Sequence, residues 1–488
     1  MRLSIIIKVT GGILRVFGLM FLWPMAVVAY YEEWTDLGGF ALAGVLAASI
    51  GQAMWLAGRE REPDLRRIEA LAVVAGTWLV VALLGSVPYL WVGLAPVDAV
   101  FESMSGFTTT GATIFTDFSL FGRGLLFWRS LTQWLGGMGV ITLFVAILPR
   151  LAMGVGRIFF AEAPGPTDEK LTPHIRQTAV VLWRLYAGLT LAEFLALWVA
   201  GMPVYDSLCH AMTTLAAGGF SPHALSIAGY DNAAVEWIIC VFMFVAGVNF
   251  ALQYRALLGR PGVLVRDEEF RAYTGIVLVA ALLVTGFLWH AGGELAVAFR
   301  HGLFQTLSIL TTTGYASVDF QLWSDQTRII LLGLMFIGGC AGSAAGGPKV
   351  IRHVLIGRYT LTELRRTLHP RGVLPVKIGG KVVPDGVMRT VLVFFLFYVL
   401  MFALCVMAVV LLGTDLITGI SATMATLGNV GPGLGQVGPM ANYGHLHPLS
   451  KLVLTGAMWI GRLEILTVLA LLRPEVWRSA HWRTPARG

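Results

Sequence analysis

Four short segments of the chain each end in or contain a glycine that follows small or hydroxyl-bearing residues, and turns of this kind can supply oxygens to a bare cation. The segments are residues 107–112, 216–220, 311–315 and 425–429. Moving a monovalent cation out of water costs on the order of tens of kcal/mol by Born solvation estimates, so other oxygens must replace its hydration shell. Glycine adopts the unusual dihedral angles that let backbone carbonyls converge, and rings of carbonyls coordinate ions in channel filters. The candidate ligands are Thr109, Thr110, Gly111, Ala217, Gly218, Gly219, Thr312, Thr313, Gly314, Thr426, Leu427, Gly428 and Asn429.

A single Thr-Gly pair is weak evidence for a cation site, because the chain has 57 glycines and most such pairs lie in loops or close helix contacts. The four segments gain weight because each lies between two long apolar runs. An aspartate stands thirteen residues before three of the glycines, at Asp98, Asp206 and Asp415, and His301 has that place before the other glycine. Asp is a preferred N-cap. The spacing therefore predicts pore-helix caps at these three aspartates.

The short helices that these aspartates would begin cannot cross a membrane. A helix of about 12 residues is about 18 Å long, whereas the hydrocarbon core is about 30 Å thick. Such a helix must enter the membrane and return. Irregular backbone at that depth is tolerated only where it is buried in protein or lines a water-filled cavity. Four such loops predict one pore at the point where they meet, and potassium fits the carbonyl and hydroxyl oxygens available there.

The composition places these elements in lipid. The chain is 56% hydrophobic and 13% charged, with a mean hydropathy of +0.74, so it has too few charges to cover a soluble protein of its size. Together with the four glycine segments, this predicts an all-α polytopic membrane protein with four span–pore helix–span repeats around one pseudo-fourfold pore. The predicted spans are 16–31, 39–57, 71–94, 125–149, 178–201, 235–258, 274–291, 329–341, 388–413 and 450–472.

The first apolar run could also be a signal peptide, since it follows Arg2, Lys8 and Arg15. Its length, Pro24 and the lack of a small-residue cleavage site favour a retained span.

Basic residues set the predicted orientation. Lys and Arg cluster in alternate connecting segments, most densely between Lys349 and Arg389, while the intervening segments are richer in acids. Such clusters stay on the cytoplasmic side, so both termini are expected there, in a bacterial inner membrane. The net charge of +7 is then a topology signal and gives no support for nucleic-acid binding. The four cysteines are far apart in or beside apolar segments, which favours neither a disulfide nor a metal site.

A glycine-rich stretch interrupts the second span of the third repeat. Its candidate gate residues are Gly338, Gly339, Gly342, Ser343, Gly346, Gly347 and Lys349, together with Arg462 from the last span. Each glycine costs about 1 kcal/mol in helix propensity, so we expect an unwound loop across the inner pore mouth; a tightly packed small-residue helix contact is the alternative. An arginine inside an apolar span generally faces a cavity or a partner. Arg462 therefore either projects into the pore and binds the glycine loop, or forms a structural pair with Glu464 or with carbonyls.

Motifs for other functions are weak. Residues 433–438 match a dinucleotide-binding glycine pattern but follow no strand and begin no βαβ unit. Residues 342–349 resemble a phosphate-binding loop, yet Pro348 separates the last glycine from the lysine. His210 lies in a predicted pore helix and is expected to pack or hydrogen-bond. A polytopic membrane enzyme would need a nucleophile and base or a metal set at membrane depth, and the sequence offers none.

At these residues the chain resembles the TrkH/KtrB/HKT potassium transporters, and the TrkH branch fits best. The resemblance rests on the four glycine segments and on Trp128-Arg-Ser-Leu-Thr-Gln-Trp-Leu-Gly-Gly-Met-Gly139. It extends over residues 163–166, 170–173, 338–349 and 461–467. Two departures are Pro348, where an aliphatic residue is expected, and the pair Ala344 and Ala345, which replaces a more polar run. In the related HKT proteins a serine at the first filter glycine accompanies sodium transport; Gly111 favours potassium, and a sodium or mixed-cation transporter is the alternative.

The resemblance implies a potassium uptake protein that binds no cofactor and forms a homodimer. It also implies regulation by a cytoplasmic nucleotide-binding ring of the TrkA type. The expected division of the chain is an N-terminal helix pair, residues 1–67, followed by four pore repeats. These are residues 68–160, 161–262, 263–371 with a broken second helix, and 372–488 with a basic cytoplasmic tail.

Overall fold

A computed structural model of the chain describes residues 1–58, 66–151, 172–369, 372 and 374–478. Several features of the sequence argument lie outside the described residues, among them Arg59, Arg61, Arg157, Lys170, the segment 163–166, the boundary between residues 160 and 161, and the last part of the basic tail, 479–488.

The described chain is almost entirely helical, which confirms the all-α prediction. Its α-helices are, in order, α1 Leu3–Met20, α2 Leu22–Tyr30, α3 Trp34–Ala57, α4 Arg67–Gly85, α5 Val87–Trp91, α6 Pro96–Phe107, α7 Arg123–Leu151, α8 Thr172–Val199, α9 Val204–Leu215, α10 Ala233–Ala246, α11 Phe250–Leu257, α12 Gly262–Arg266, α13 Glu268–His290, α14 Leu295–Leu310, α15 Asp325–Leu334, α16 Val350–Leu368, α17 Asp385–Leu411, α18 Leu416–Leu427, α19 Pro448–Leu463, α20 Ile465–Leu471 and α21 Pro474–Arg478. Short 3₁₀ turns occupy Phe118–Leu120, Ser226–Tyr230, Phe320–Leu322 and Gly435–Val437.

One small hairpin departs from the all-helical pattern. Strands β1, Lys377–Ile378, and β2, Lys381–Val382, pair antiparallel around Gly379 and Gly380, whose φ angles are +56° and +76°. Two successive residues with positive φ are the signature of a type I′ turn. Ile378 of the hairpin, together with Val376 and Val383 beside the strands, joins a buried cluster with Ile351 of α16. The hairpin therefore lies on the helix that follows the glycine loop.

Among the described residues, six helices are long and apolar enough to cross a membrane, and there are eight if each bent pair counts as one span. The bent pairs are α10 with α11, at 104°, and α19 with α20, at 106°. The predicted spans over 235–258 and 450–472 correspond to these two bent pairs, and the bends were not predicted. At the first bend, the Asn249 side chain accepts hydrogen bonds from the amides of Ala251 and Leu252 and so begins a new helix. At the second, Glu464 has a φ of +67°.

The predicted span over 329–341 is interrupted, as expected from its glycine-rich stretch. Helix α15 ends at Leu334, and the chain then follows an irregular path until α16 begins at Val350. The second helices of the four repeats therefore differ: α7 is continuous, two are bent, and one is interrupted by a long loop.

Four short helices, α6, α9, α14 and α18, each end four residues before a glycine with positive φ. Three have 12 residues and α14 has 16. The predicted caps are correct only in part. Asp415 is the N-cap of α18 and accepts a hydrogen bond from the Thr418 amide at 3.0 Å, which lowers the pKa of its carboxyl.

Asp98 and Asp206 are not caps. Helices α6 and α9 begin earlier, at Pro96 and Val204, so each aspartate lies within the first turn and makes no capping bond. A proline at the start of a helix is pre-organised for this role, which explains the earlier beginning of α6. Asp98 instead forms an ion pair with Lys451 of α19. An acid in the first turn still interacts favourably with the helix dipole.

The N-terminal helices pack closely on each other and on the first repeat. A side chain at Gly11 of α1 would meet the Gly51 carbonyl of α3 at 2.7 Å, so glycine permits the close approach of these helices. The Phe21 ring stacks on Trp128 of α7 with centroids 4.4 Å apart. These contacts fix the leading helices against the segment that carries the first glycine turn.

Candidate functional site: a ring of four glycine turns

The backbone follows one hydrogen-bonding pattern after each of the four short helices. In the first, the amides of Thr108, Thr109 and Thr110 donate to carbonyls four, three and five residues back, at 2.8–2.9 Å. The same three bonds recur after α9, α14 and α18, starting at Ala216, Thr311 and Gly428. Four chemically different sequences thus form the same turn.

The φ angles show the same repeat. A non-glycine residue with positive φ comes second in each turn, and a glycine with positive φ comes fourth. The second positions are Thr109, Ala217, Thr312 and Asn429, with φ between +49° and +59°. The fourth positions are Gly111, Gly219, Gly314 and Gly431, with φ between +75° and +101°.

This register corrects the fourth predicted segment. The sequence argument placed Gly428 as the equivalent of Gly111, but Gly428 has a φ of −82° and is the C-cap of α18. The equivalent residue is Gly431, three positions later. Thr426 and Leu427 belong to the last turn of the helix, and the fourth turn consists of Gly428, Asn429, Val430 and Gly431. The error arose because the thirteen-residue spacing was counted from Asp415, which lies three residues before the place that Asp98 and Asp206 occupy.

The four turns close into a ring. A Cβ atom on Gly111 would lie 2.2 Å from the Gly218 carbonyl oxygen, and one on Gly219 would lie 1.8 Å from the Thr313 oxygen. The corresponding distances are 2.1 Å from Gly314 to the Val430 oxygen and 2.6 Å from Gly431 to the Thr110 oxygen. Each glycine therefore contacts the residue before the glycine of the next repeat, and the fourth returns to the first. A side chain at any of these positions would overlap the neighbouring backbone.

Polar side chains brace the ring from outside. Gln133 of α7 donates to the Gly218 carbonyl at 2.7 Å and accepts from the Phe220 amide at 3.0 Å. Tyr443 donates to the Gly431 carbonyl at 2.7 Å. Asn429 donates to the Thr110 hydroxyl at 2.9 Å, which links the fourth turn to the first. Satisfied networks of this kind make a buried structure rigid.

A buried ion pair that sequence reasoning did not single out lies beside the first turn. Arg129 of α7 and Glu102 of α6 are 1% and 0% exposed, and their closest atoms are 2.8 Å apart. Glu102 also accepts from the Ile114 amide, and Arg129 donates to the Ser221 carbonyl at 3.1 Å. The pair thus joins the segments that follow the first and second turns. In the sequence, Glu102 and Arg129 could be noticed as an acid and a base inside apolar segments. Nothing in the sequence showed that the two form a pair.

Two of the four second positions carry buried polar oxygens without a hydrogen-bond partner in the described part of the chain, Oγ1 of Thr109 and Oδ1 of Asn429. At the third, the Thr312 hydroxyl accepts from the Gly346 amide at 2.7 Å. The second repeat has Ala217 there. Gly346 also lies against the fourth turn, since a Cβ on it would be 2.6 Å from the Gly428 oxygen. The glycine loop between α15 and α16 therefore contacts the ring itself.

The loop is folded back on itself and held by the bend of the second repeat. A Cβ on Gly338 would meet Gly347 at 3.0 Å, so its two glycine-rich ends touch. The Cys340 amide donates to the Gly247 carbonyl at 2.9 Å, and the Phe250 amide donates to the Gly342 carbonyl at 3.0 Å. The remaining candidate gate residues are also in the loop: Gly339 packs against Ala345, the Ser343 hydroxyl donates to the Cys340 carbonyl, and Lys349 donates to the Ala345 carbonyl.

Arg462 of α19 reaches this loop. The guanidinium Nη1 donates to the Ala344 carbonyl at 3.0 Å, whereas its Nε and Nη2 have no hydrogen-bond partner among the described residues. The alternative pair with Glu464 does not form, because the Glu464 carboxylate lies 2.6 Å from Arg352 of α16. His210 contacts the Asp206 carbonyl and the Ser221 hydroxyl, in keeping with a hydrogen-bonding role.

Comparison with known proteins gives the family. Residues 38–479 match the family described as TrkH, cation transport protein. The chain belongs to the TrkH family. It is 39% identical to the Trk system potassium uptake protein TrkH of Halomonas elongata, over 98% of this chain and 100% of the relative. The Escherichia coli TrkH is 36% identical over the same shares.

A solved TrkH structure has the same fold. The crystal structure of the potassium transporter TrkH from Vibrio parahaemolyticus superposes with a TM-score of 0.91 at 36% identity, covering 98% of this chain and 100% of that chain. The resemblance drawn from the sequence is therefore confirmed, and so is the fold class. As a TrkH family member the chain is a membrane transport protein, which excludes the membrane-enzyme alternative.

Proposed function

We propose that this TrkH family chain takes up potassium across a bacterial inner membrane through the ring of glycine turns. The observation that supports this most directly is the cyclic contact of Gly111, Gly219, Gly314 and Gly431, each with the next repeat. Such a ring brings four sets of backbone oxygens around one axis, as a dehydrated cation requires. The named relatives are potassium uptake proteins, which favours potassium over sodium.

We also propose that the glycine loop and Arg462 form the inner gate. The loop lies against Thr312 and the fourth turn, and Arg462 holds it through the Ala344 carbonyl. Two guanidinium nitrogens remain without a protein partner among the described residues. A fixed positive charge at the inner pore mouth would oppose a passing cation. Moving the loop from the path and removing the charge would each lower the barrier to ion flow.

The proposal carries the further expectations from the sequence. The repeats would keep the bounds 68–160, 161–262, 263–371 and 372–488 after the N-terminal pair 1–67, with both termini in the cytoplasm. The protein would act as a homodimer and bind a TrkA-type nucleotide-binding ring. The described cytoplasm-facing elements under this orientation include α16, which carries Arg358, Arg365 and Arg366. Cross-linking in native membranes and co-purification with a TrkA-type subunit test these points.

The decisive experiment measures potassium and sodium flux through the purified chain in liposomes, with and without a proton gradient. Potassium flux that sodium does not match supports the proposal, and equal flux of both ions supports the mixed-cation alternative. Gly111→Ser provides the site test, because its Cβ would lie 2.2 Å from the Gly218 oxygen. Selectivity should weaken in this variant. Unchanged ion competition would remove Gly111 from the filter.

A matching experiment in cells uses a bacterium that lacks potassium uptake and supplies a TrkA-type subunit. Expression of the chain should restore growth at low potassium. Membrane expression without rescue would contradict the proposed function.

A further inference from the structure

A single carboxylate oxygen joins the middle of the glycine loop, residues 335–349, to the helix that follows it. Oε1 of Glu269, the second residue of α13, accepts a hydrogen bond from the Ala341 amide at 2.7 Å and from the Ile351 amide at 3.2 Å. Ala341 lies near the centre of the loop, and Ile351 lies in the first turn of α16. The second half of the loop, which holds Gly342, Gly346 and Gly347, is therefore enclosed between two amides that share one acceptor.

The chemistry of these two amides explains why a carboxylate suits the position. Ala341 lies in irregular backbone, and the first amides of a helix such as α16 have no partner within the helix. A buried amide left unpaired is costly. Glu269 is 6% exposed and satisfies both, and a carboxylate at a helix N-terminus also interacts favourably with the helix dipole.

The neighbouring acid provides a contrast within the same turn. The Glu268 carboxylate lies 2.8 Å from the Arg358 guanidinium, further along α16 and outside the loop. The Asp267 side chain accepts from the Phe270 amide and caps α13. The start of α13 is thus a fixed platform that holds α16 at two places, and only the Glu269 contact includes the loop.

We propose that Glu269 is a positioning residue that clamps the second half of the glycine loop between Ala341 and the start of α16, so that this part of the loop leaves the ring only when the clamp is released. The inference rests on the proposed gate. It adds a side-chain attachment from α13 to those made by Thr312, Arg462 and the bend of the second repeat. Loss of the clamp should loosen the loop without changing the glycine turns, so basal flux should rise while selectivity for potassium over sodium stays the same.

The loop carries its own reporter. Cys340 precedes Ala341 and is 2% exposed, so a water-soluble thiol reagent should reach it only when the loop moves. The experiment uses the full chain in membrane vesicles, with Cys209, Cys240 and Cys405 replaced by Ala. The rate of Cys340 modification is measured beside potassium flux in four forms, namely the parent, Glu269→Ala, Glu269→Gln and the matched control Glu268→Gln.

Modification of Cys340 should be at least about tenfold faster in Glu269→Ala, because the variant loses both hydrogen bonds to the carboxylate and one such bond alone corresponds to roughly tenfold. Flux should rise with it. Glu269→Gln keeps an oxygen that can accept from both amides, so it should restore most of the protection. Glu268→Gln should match the parent. If Glu269→Ala fails to fold, Glu269→Asp takes its place, because the shorter side chain withdraws the oxygen from at least one amide.

The outcomes separate the clamp from the gate. Equal modification rates in the parent and in the Ala or Asp variant would overturn the clamp. Faster modification without a rise in flux would support the clamp but contradict the proposed gating role of the loop. Equal acceleration in Glu269→Gln and Glu268→Gln would also overturn the clamp, since it would indicate general loosening of α13.

Discussion

The ring of glycine turns and the second helices of the four repeats follow opposite rules. In the ring, four different sequences form one backbone pattern, with positive φ at equivalent positions and each glycine against the next repeat. The second helices differ: α7 is continuous, two are bent by 104° and 106°, and one gives way to a loop. Equal contributions are needed where four turns share one centre, whereas the proposed gate needs only one loop.

The largest effect is expected where the symmetric ring is most crowded. A Cβ in Gly219→Ala would lie 1.8 Å from the Thr313 oxygen, on a residue with a φ of +75°. The third turn must move, and potassium flux should fall at least about a hundredfold, as other preorganised sites lose when misplaced by about 1 Å. Liposome flux measures this.

Gly201→Ala is the matched control. Gly201 has a φ of +95°, also in the left-handed region, but no atom lies within 4 Å of the added Cβ. The alanine in Gly201→Ala has a similar backbone strain to that in Gly219→Ala, but its Cβ meets no neighbouring atom. Flux should therefore stay near that of the parent. Equal losses in both variants would show that backbone strain, and not contact between repeats, limits the ring.

The asymmetric region should respond in the opposite direction. If the Arg462 charge stands about 6 Å from a passing cation, it costs about 3 kcal/mol at an effective dielectric near 20, which slows flow by up to about a hundredfold. Arg462→Ala should raise flux, and deleting part of residues 342–347 should do likewise. Because Arg462 binds the loop at Ala344, the two effects should be less than additive.

Arg462→Lys sharpens this test. It keeps the charge but loses the planar set of donors, so it should restrain flux only in part. Unchanged or abolished flux in correctly folded Arg462→Ala would show that the arginine is structural and that the gate lies elsewhere.

A smaller difference should separate two glycines of the fourth turn. Gly431 has a φ of +101° and would place a Cβ 2.6 Å from the Thr110 oxygen, whereas Gly428 has a φ of −82°. A left-handed conformation costs an L-residue about 1–2 kcal/mol, which corresponds to roughly tenfold or more in an equilibrium. Gly431→Ala should therefore impair flux about tenfold more than Gly428→Ala. A larger loss of flux in Gly428→Ala than in Gly431→Ala would support the register first predicted from the sequence, in which Gly428 is the equivalent of Gly111.

The smallest effect concerns stability. Asp415 caps α18, so Asp415→Ala should lower the free energy of unfolding by about 1 kcal/mol. Asn caps about as well as Asp, so Asp415→Asn should retain most of the stability. Thermal unfolding in detergent measures both. Equal loss in the two variants would mean that the charge of Asp415, and not its hydrogen bond to Thr418, supports the helix.

The sequence by itself determined that the chain is an all-α polytopic membrane protein. Composition, the lengths of apolar runs and repeated glycine segments are enough for this, because each can be read from a short stretch of the chain. Apolar runs too short to cross lipid, followed by glycine, predict re-entrant helices wherever they occur. The cluster of glycines between 338 and 347 predicted a loss of helix there, and α15 indeed stops at Leu334. Family membership followed from the same segments.

Only the tertiary structure decided the register of the fourth turn, the ring and its supports. The contacts that define them join residues far apart in the chain, such as Asn429 with Thr110 or Arg129 with Glu102. Aspartate spacing could not fix the start of α6, because Pro96 begins that helix before Asp98. The ring and its supports depend on which distant groups meet, and no local pattern states that. Local pattern therefore predicts which elements form, whereas contacts between repeats decide which residues of those elements come together.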